Sequence, residues 1–302
     1  MRVFVTGATG FIGSALVPEL IGAGHQVLGM TRSEEGATKL SAAGAAVHRG
    51  TLEDLESVRS GAAAADAVVH LAFDHSAFGQ DFSKFIEVCE KDRQVIEALG
   101  DVLAGSNRPL VITSGTGMGS PGPGQLATEN YFDANHANPR KGSEQAGAAA
   151  AERGVNVSVV RLPQVHDTVK QGLVTYAVLL ARQKGVSAYI GEGRNRWPAA
   201  HVSDVARLYR LAVEKAEAGS RYHAVAEEGT PMREIAEVIG KGLKVPVASL
   251  SQEEAQAHFG WLAMFAALDM PASSALTREK LGWSPTGPTL MTDLANMRYF
   301  EA

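Results

Sequence analysis

The sequence predicts a doubly wound α/β fold, in which a parallel sheet carries helices on both faces, followed by a smaller mixed C-terminal domain. Through the first half of the chain, short apolar segments rich in β-branched residues alternate with longer segments of helical periodicity. This alternation is typical of βαβ units. A glycine-rich segment connects the first strand to the first helix, as expected for this class. After Leu162 the alternation becomes irregular, so we place one domain at residues 1–165 and a second at 166–302, with 195–226 returning to the first.

The elements of the first domain follow from the alternation. The predicted strands are residues 2–6, 26–30, 45–48, 67–72, 109–113 and 155–162. The predicted helices are residues 11–21, 34–42, 52–60, 81–103 and 141–153. Asp92 interrupts the apolar stripe of helix 81–103, so we place it at the edge of the stripe and Cys89 in the core. Six strands in this order predict a doubly wound sheet.

The second domain has a sparser, mixed pattern. Periodicity predicts helices at 172–184, 203–218 and 231–240, and short apolar runs predict strands at 186–190 and 222–226. Thr230 is a typical N-cap for the last helix, and Pro231 suits its first position.

Composition and charge argue against several classes of function. The 302 residues include 28 basic and 33 acidic side chains, a formal charge of −5 without basic blocks, so we expect no nucleic-acid or membrane partner. No run approaches the roughly 18 apolar residues of a membrane span, and the first strand begins without a signal-peptide pattern. The single Cys89 suits a reducing compartment. We therefore expect a cytoplasmic protein that acts on a small molecule, without a metal site or a serine-hydrolase motif.

The segment at residues 6–13, with the sequence TGATGFIG, has the spacing of a phosphate-binding loop. The first glycine permits the tight turn, the second lets a diphosphate approach the backbone, and the third lets the helix pack closely on the strand. The free N–H groups at the helix N-terminus then face the phosphates. The predicted dinucleotide contacts in this loop are Gly7, Thr9, Gly10, Phe11, Ile12 and Gly13.

This loop, together with the strand VVHLA at 68–72, resembles the short-chain dehydrogenase/reductase superfamily, and most closely its extended, NAD-dependent epimerase/dehydratase-like branch. Further similarity lies in VITSG at 111–115, VVRLP at 159–163 and HVSDVA at 201–206. The resemblance implies a Rossmann-type dinucleotide domain and a substrate domain. It also implies cofactor contacts at Leu52, Leu71, Ala72, Phe73, Pro163 and Val165.

The end of the second strand favours NADP over NAD. In place of the acidic residue that binds the ribose hydroxyls of NAD, the chain has Thr31, Arg32 and Ser33. Arg32 can pair with a 2′-phosphate, and Ser33 adds a hydroxyl donor. The alternative is that Arg32 is a solvated surface cation.

The chain departs from the family at the catalytic dyad. Most members use a Tyr-x-x-x-Lys pair, but no tyrosine of this sequence has a lysine four residues later. Alignment of residues 138–144 puts Arg140 at the tyrosine position and Glu144 at the lysine position. Arginine is a poor proton donor at neutral pH, but its cation can stabilise a developing oxyanion.

Three other polar residues are candidates for the catalytic site. Ser114 matches the family's serine at the end of the fifth strand and would anchor a substrate carbonyl, unless it only satisfies local backbone. His166 follows the sixth strand and is a candidate proton donor, or else a structural histidine. Tyr131 lies on a loop that could reach the site and is another candidate proton donor, or else a structural tyrosine. The segment 191–198 resembles one that shapes the substrate pocket of extended members, and its basic, aromatic composition suits an anionic or planar ligand.

We therefore predict an NADP(H)-dependent oxidoreductase that acts on a small carbonyl compound by hydride transfer. Two alternatives remain open, a non-catalytic NADP-binding regulator and a nucleotide-sugar epimerase or dehydratase. The helices 81–103 and 141–153 correspond to those that pair across the dimer in many extended relatives, so the resemblance implies a homodimer, whereas Asp92, Arg93 and Glu97 would suit the solvated face of a monomer.

Overall fold

A seven-stranded parallel sheet forms the centre of the molecule, with its strands in the order 221–223, 156–162, 109–115, 67–70, 2–6, 26–31 and 46–49. The structure is a computed structural model that describes residues 1–75 and 82–299. Its strands are β1 (Arg2–Thr6), β2 (Gln26–Thr31), β3 (Ala46–Arg49), β4 (Ala67–His70), β5 (Pro109–Gly115), β6 (Asn156–Leu162), β7 (Gln164–His166), β8 (Ser187–Ile190), β9 (Arg196–His201), β10 (Arg221–His223), β11 (Glu227–Pro231) and β12 (Val247–Leu250). Its helices are α1 (Phe11–Gly22), α2 (Glu34–Ala42), α3 (Leu55–Ala63), α4 (Phe82–Leu103), α5 (Lys141–Glu152), α6 (Val174–Lys184), α7 (Val202–Lys215), α8 (Met232–Leu243), α9 (Gln252–Phe259), α10 (Ala263–Ala266), α11 (Ala275–Leu281) and α12 (Leu290–Asn296).

The strand order reverses at β1, which lies between β2 and β4. Phe4 pairs with Leu28 of β2 on one side and with Val68 of β4 on the other. In open parallel sheets, ligands bind outside the carboxyl ends of the strands at such a switch point. The predicted doubly wound fold is therefore confirmed, and the reversal places a crevice next to the glycine loop.

Both faces of the sheet are buried, which explains why its strands are apolar without alternation. Val3 and Val5 face a core formed with α1 and α7, where Leu16 and Leu208 are fully buried. Phe4, between those valines, faces the opposite core with α3, α4 and α5.

The sheet has seven strands, one more than the six predicted for the first domain, and the seventh overlaps the predicted strand 222–226 within the segment 195–226. The additional strand, β10, pairs in parallel with residues 159–161 of β6 at the edge of the sheet. It has only three residues and lies about 60 residues after β6 in the sequence, so local periodicity could not show that the two strands pair. Helix α7 also packs on this sheet, against β4, β5 and β6.

The remaining elements build a smaller mixed lobe. It contains a three-stranded sheet in the order β11-β9-β7 and a two-stranded sheet of β12 and β8. Its core lies among α6, α8 and α12 around the fully buried Trp197. The predicted start of α8 was one residue early, since Pro231 is the N-cap in place of Thr230. Within 1–75 and 82–299, no helix has the length and hydropathy to cross a membrane.

Candidate active site

The glycine loop forms a tight cradle at the N-terminus of α1. Gly7 has φ +68°, and a Cβ placed there would lie 2.8 Å from the backbone nitrogen of Ala72. A Cβ on Gly13 would lie 2.1 Å from the carbonyl oxygen of Gly7. The N-cap, Gly10, provides no capping side chain, and the first turn of α1 has no acidic residue. The first N–H groups of the helix are therefore available to an anion such as a diphosphate.

The other predicted contacts of this loop lie at its open side. Thr9 and Gly10 are exposed, and Phe11 and Ile12 are half-buried. The Lys170 ammonium lies 5.9 Å from the centre of the Phe11 ring. Lys170 was not a predicted site residue, because nothing in the local sequence indicates that its loop returns to α1.

At the end of β2, the three predicted residues have different environments. Thr31 is buried, and Ser33 is the N-cap of α2, where its Oγ accepts a hydrogen bond from the Gly36 N–H at 3.0 Å. Arg32 is exposed and makes no ion pair or hydrogen bond with the residues that the structure describes. Its guanidinium is therefore available to a phosphate, and the Ser33 hydroxyl, which caps α2, still has its donor hydrogen.

The remaining predicted cofactor contacts lie after β3, β4 and β6. The half-buried ones are Leu52, Leu71, Ala72, Phe73 and Pro163. Val165 in β7 is only 6% exposed and packs in the core, so little of its side chain is available to a ligand.

A chain of buried hydrogen bonds runs from the glycine loop to Arg140. Thr6 Oγ1 lies 2.7 Å from His70 Nδ1, and His70 Nε2 lies 3.1 Å from Asp92 Oδ1. Asp92 Oδ2 lies 2.7 Å from Arg140 Nη1 and accepts a hydrogen bond from Ser143 Oγ at 2.6 Å. Since an ionised carboxylate can only accept, His70 donates through Nε2 and, when neutral, accepts the Thr6 hydroxyl hydrogen at Nδ1.

Asp92 is only 3% exposed, so its predicted place at the edge of the apolar stripe was wrong. Burial alone would raise the pKa of Asp92, but Arg140, His70 and Ser143 outweigh it and hold this pKa below its ordinary value. Asp92 is therefore an anion in the folded protein, and its charge is balanced by Arg140. An acidic residue that interrupts an apolar stripe was the sequence signal for this pair.

Arg140 precedes α5 and is held on several sides. Its guanidinium lies 3.8 Å from the centre of the Phe73 ring. Nη1 also donates to Ser143 Oγ at 3.1 Å, and Nη2 donates to the carbonyl oxygen of Thr113 at 3.2 Å. The side chain is 13% exposed. A fixed guanidinium with a small open surface can bind an anion or stabilise an oxyanion.

Glu144, at the family's lysine position, is buried on the other side of α5. Arg161 binds its two carboxylate oxygens at 2.7 and 2.8 Å, and Arg221 adds a contact at 2.9 Å. Burial alone would raise the pKa of Glu144, but the two arginines and Ser114 outweigh it and hold this pKa below its ordinary value. Ser114 is also buried, and its hydroxyl makes no hydrogen bond of ordinary geometry in the described part of the chain. Its effect on the pKa of Glu144 means that the Ser114 hydroxyl lies close to that carboxylate.

The other two catalytic candidates lie apart from the Arg140 chain of contacts. His166, fully buried in β7, has Nδ1 2.7 Å from Asp293 Oδ2. Tyr131 is half-buried in a loop, next to Phe132, whose ring lies 5.2 Å from the Arg221 guanidinium. Among the described residues, neither makes a hydrogen bond, ion pair or ring contact with Arg140 or Ser114, so the structure does not bring the four candidates into one cluster.

Cys89 is buried near this site. Burial raises the pKa of its thiol to about 11, with opposing effects from Arg140 and Asp92, so it is a neutral core residue at neutral pH. Among the described residues, no group of three His, Cys, Asp or Glu side chains has the arrangement of a metal site.

Comparison with known proteins places the chain in a family. A family model described as the NAD dependent epimerase/dehydratase family matches residues 3–226. The chain belongs to this family. The uncharacterized protein C2A9.02 of Schizosaccharomyces pombe is 51% identical over 301 residues, which is 99% of this chain and 100% of the relative.

Two further proteins resemble this family member over most of its length. The 2-alkyl-3-oxoalkanoate reductase of Stenotrophomonas maltophilia is 28% identical over 245 residues, covering 78% of this chain and 73% of the relative. The crystal structure of the human epimerase family protein SDR39U1 with NADPH has a TM-score of 0.74 at 23% identity, covering 98% of this chain and 99% of the other. At that identity the likeness shows the fold.

Proposed function

We propose that this protein is an NADP(H)-dependent oxidoreductase that reduces a small carbonyl compound by hydride transfer. The observation that carries the proposal is the glycine cradle, where the backbone leaves no room for side chains at Gly7 and Gly13 and the N-terminus of α1 is uncapped. Family membership, a relative named as a 3-oxoalkanoate reductase and a structural neighbour with NADPH support it.

In this proposal, different residues of the chain bind the diphosphate, the 2′-phosphate and the substrate oxygen. The α1 N–H groups hold the diphosphate, and Arg32 binds the 2′-phosphate that distinguishes NADP from NAD. The bound nicotinamide supplies the hydride chemistry. Arg140, held by Asp92 and Phe73, stabilises negative charge that develops on the substrate oxygen.

Calorimetric titration tests the cofactor assignment directly. We expect NADPH to bind more tightly than NADH, and Arg32→Ala to weaken NADPH binding by about tenfold or more, since a charge-assisted contact is worth roughly 1.5–3 kcal/mol. NADH binding should not change. Arg233→Ala, which removes an exposed arginine of α8, is the matched control. Equal affinities for the two cofactors, or an Arg32→Ala variant with unchanged preference, would refute the assignment.

The arrangement of Glu144 favours a second candidate, a non-catalytic NADP-binding regulator. The family's lysine position holds a carboxylate that two arginines neutralise, so the usual proton relay is absent. NADPH oxidation in a screen of aldehydes, ketones and quinones separates the two functions. Cofactor binding without any oxidation would favour the regulator. A nucleotide-sugar epimerase or dehydratase is less consistent with this site, because those reactions use the relay at every turnover.

A further inference from the structure

We propose that Arg49 is a second arginine of the 2′-phosphate site, and that it exchanges its ion pair with Glu34 for the phosphate when NADP(H) binds. This inference rests on the proposed function and specifies how the cofactor is selected. We define the 2′-phosphate pocket as Arg32, Ser33 and Arg49.

The pairing of β2 with β3 brings Arg49 next to the segment that follows β2. Thr31 and Arg49 are partners in the parallel register of the two strands, and the Gly50 N–H donates to the Thr31 carbonyl oxygen at 3.2 Å. Because neighbouring strands lie about 4.8 Å apart and consecutive Cα atoms about 3.8 Å apart, the Cα atoms of Arg32 and Arg49 are within about 9 Å of each other. Two long side chains at that separation can contact one phosphate.

The Arg49 side chain lies on the α2 side of the sheet. Thr31 points toward α2, since a Cβ on Gly36 would overlap Thr31 Oγ1. Residues that are paired across neighbouring strands have their side chains on the same face of the sheet. Accordingly, Arg49 Nη2 lies 2.5 Å from Oε2 of Glu34, the first residue of α2. The Arg49 guanidinium therefore reaches the first turn of α2, directly after the predicted 2′-phosphate contacts.

The ion pair between Arg49 and Glu34 is one that a phosphate can displace. The two side chains are 44% and 92% exposed, and exposed pairs contribute little because water and salt screen them. Among the described residues, Arg49 has no other ion pair. A phosphate monoester carries a charge of roughly −1.5 to −2 at pH 7 and can accept two N–H bonds from one guanidinium. It is therefore a better partner for Arg49 than a single carboxylate, which is free to turn into solvent.

The charges at this turn show why the site needs two arginines. Glu34 and Glu35 both lie in the first turn of α2 and are exposed. Lys39 pairs with Glu35 at 2.6 Å within the helix, so Glu34 is the carboxylate that a 2′-phosphate would meet. With Arg32 alone, one cation would face both that carboxylate and the phosphate. Arg49 supplies the second positive charge.

Equilibrium binding of a matched pair of nucleotides tests the pocket without turnover. Adenosine 2′,5′-bisphosphate and adenosine 5′-monophosphate differ only in the 2′-phosphate. We expect the wild type to bind the bisphosphate at least tenfold more tightly, and Arg49→Met to weaken the bisphosphate about tenfold and leave the monophosphate unchanged, because a charge-assisted contact is lost. Arg49→Lys should lose less than Arg49→Met, since it keeps the charge without the two-pronged contact. Arg233→Met, which breaks the exposed pair with Glu237 in α8, is the matched control.

A Glu34→Gln background separates direct phosphate binding by Arg49 from neutralisation of Glu34. Glu34→Gln alone should strengthen binding of the bisphosphate by up to about fivefold, because the carboxylate no longer competes for Arg49. Unchanged binding in this variant would overturn the exchange. Adding Arg49→Met to Glu34→Gln should still weaken the bisphosphate about tenfold. If the added substitution has no effect, Arg49 acts only by neutralising Glu34, and the direct contact is overturned.

Titration of Arg32→Ala beside Arg49→Met separates this inference from the proposed function. If Arg32→Ala loses affinity for the bisphosphate and Arg49→Met does not, the NADP(H) assignment stands and the role of Arg49 is overturned. Equal binding of the two nucleotides to the wild type would overturn the NADP preference and this inference together. A protein that binds the bisphosphate through Arg49 but oxidises NADPH with no carbonyl compound would keep the pocket and fail as an oxidoreductase.

Discussion

Glu144 illustrates how a residue at a catalytic position of the family is fixed by its neighbours in this chain. Its carboxylate is fully buried between Arg161 and Arg221. A lysine at this position, as in the family's dyad, would bring a third cation into a site that no solvent reaches. A glutamate at this position instead balances the charge of the two arginines.

The first prediction concerns the free energy of unfolding. Glu144→Gln removes the charge that balances Arg161 and Arg221, and breaking a buried pair in this way costs about 3–5 kcal/mol. Chemical denaturation should show a loss of that order, and Glu144→Lys should be worse. Glu152→Gln, on the exposed face of the same helix, should stay within about 0.5 kcal/mol of the wild type. A fully stable Glu144→Gln variant would show that Glu144 is not needed as an anion.

His223, next to this cluster, predicts a pH dependence. It donates through Nδ1 to the Ser273 carbonyl at 2.8 Å, so Nε2, 3.2 Å from Arg161 Nη1, accepts and the ring is neutral. Burial, and then Arg161, lower the pKa of His223 to about 4, against partial opposition from Glu129 and Glu144.

Between about pH 6.5 and 4, the unfolded chain binds a proton at His223 that the folded chain does not. Stability is therefore lost as pH falls through this window, by roughly 3 kcal/mol at its lower end. His223→Gln keeps one donor and one acceptor without titrating, so its unfolding free energy should fall less over the same range. Parallel curves for the two proteins between pH 6.5 and 4 would contradict this assignment.

At the scale of an element, α1 depends on the contact between its first turn and the loop before it. A Cβ on Gly13 would overlap the Gly7 carbonyl at 2.1 Å, and the overlapped atom is backbone that cannot rotate away. Gly22, at the other end of the same helix, has open space around its Cβ position.

These two glycines form a matched pair for mutation. Gly13→Ala should destabilise the protein by about 2–3 kcal/mol, as overpacking does, and abolish cofactor binding. Gly22→Ala should be neutral or should stabilise by up to about 1 kcal/mol, because alanine restricts the unfolded chain. Thermal unfolding and NADPH titration of both variants measure this. A Gly13→Ala variant with wild-type affinity would show that the cradle does not contact the ligand.

The sequence predicted the elements whose signal is local. The helix at 34–42 matches α2, and the strand at 2–6 matches β1. The predicted start of α3 at residue 52 was three residues early, because the N-cap is Asp54, whose carboxylate accepts from two N–H groups of the first turn. The predicted start of α4, residue 81, lies outside the described residues. Strands β9, β11 and β12 were not predicted, since they are short and pair with partners distant in sequence.

In the candidate site too, the sequence predicted the residues of a local motif and not the contacts between distant elements. The glycine loop is a local motif, and its geometry requires glycine at Gly7 and Gly13. The contacts of His70, Asp92 and Arg140 join three separate elements, so no spacing rule predicts them. Conversely, His166 lies near the expected loop in sequence, but tertiary packing pairs it with Asp293 of α12.

At the scale of the whole molecule, α4 and α5 present the surface on which the expected homodimer depends. Asp92 is not part of that surface, since it is buried. Arg93 is paired within α4 to Glu90 and Glu97, so these charges are already satisfied inside one chain. Ile86 on α4 is 47% exposed, and Ala148 and Ala149 on α5 are exposed.

The last prediction is that this surface pairs two copies of the chain. Small side chains on α5 allow close approach of a second helix, and an exposed isoleucine gains from being covered. Light scattering over a range of concentrations should give a mass rising toward twice 31.8 kDa. Ala148→Arg should shift the mass toward one chain by placing a charge in the contact, whereas Ala257→Arg on the exposed side of α9 should leave it unchanged. A constant mass near 31.8 kDa would instead mean that the paired charges of α4 belong to the solvated face of a monomer.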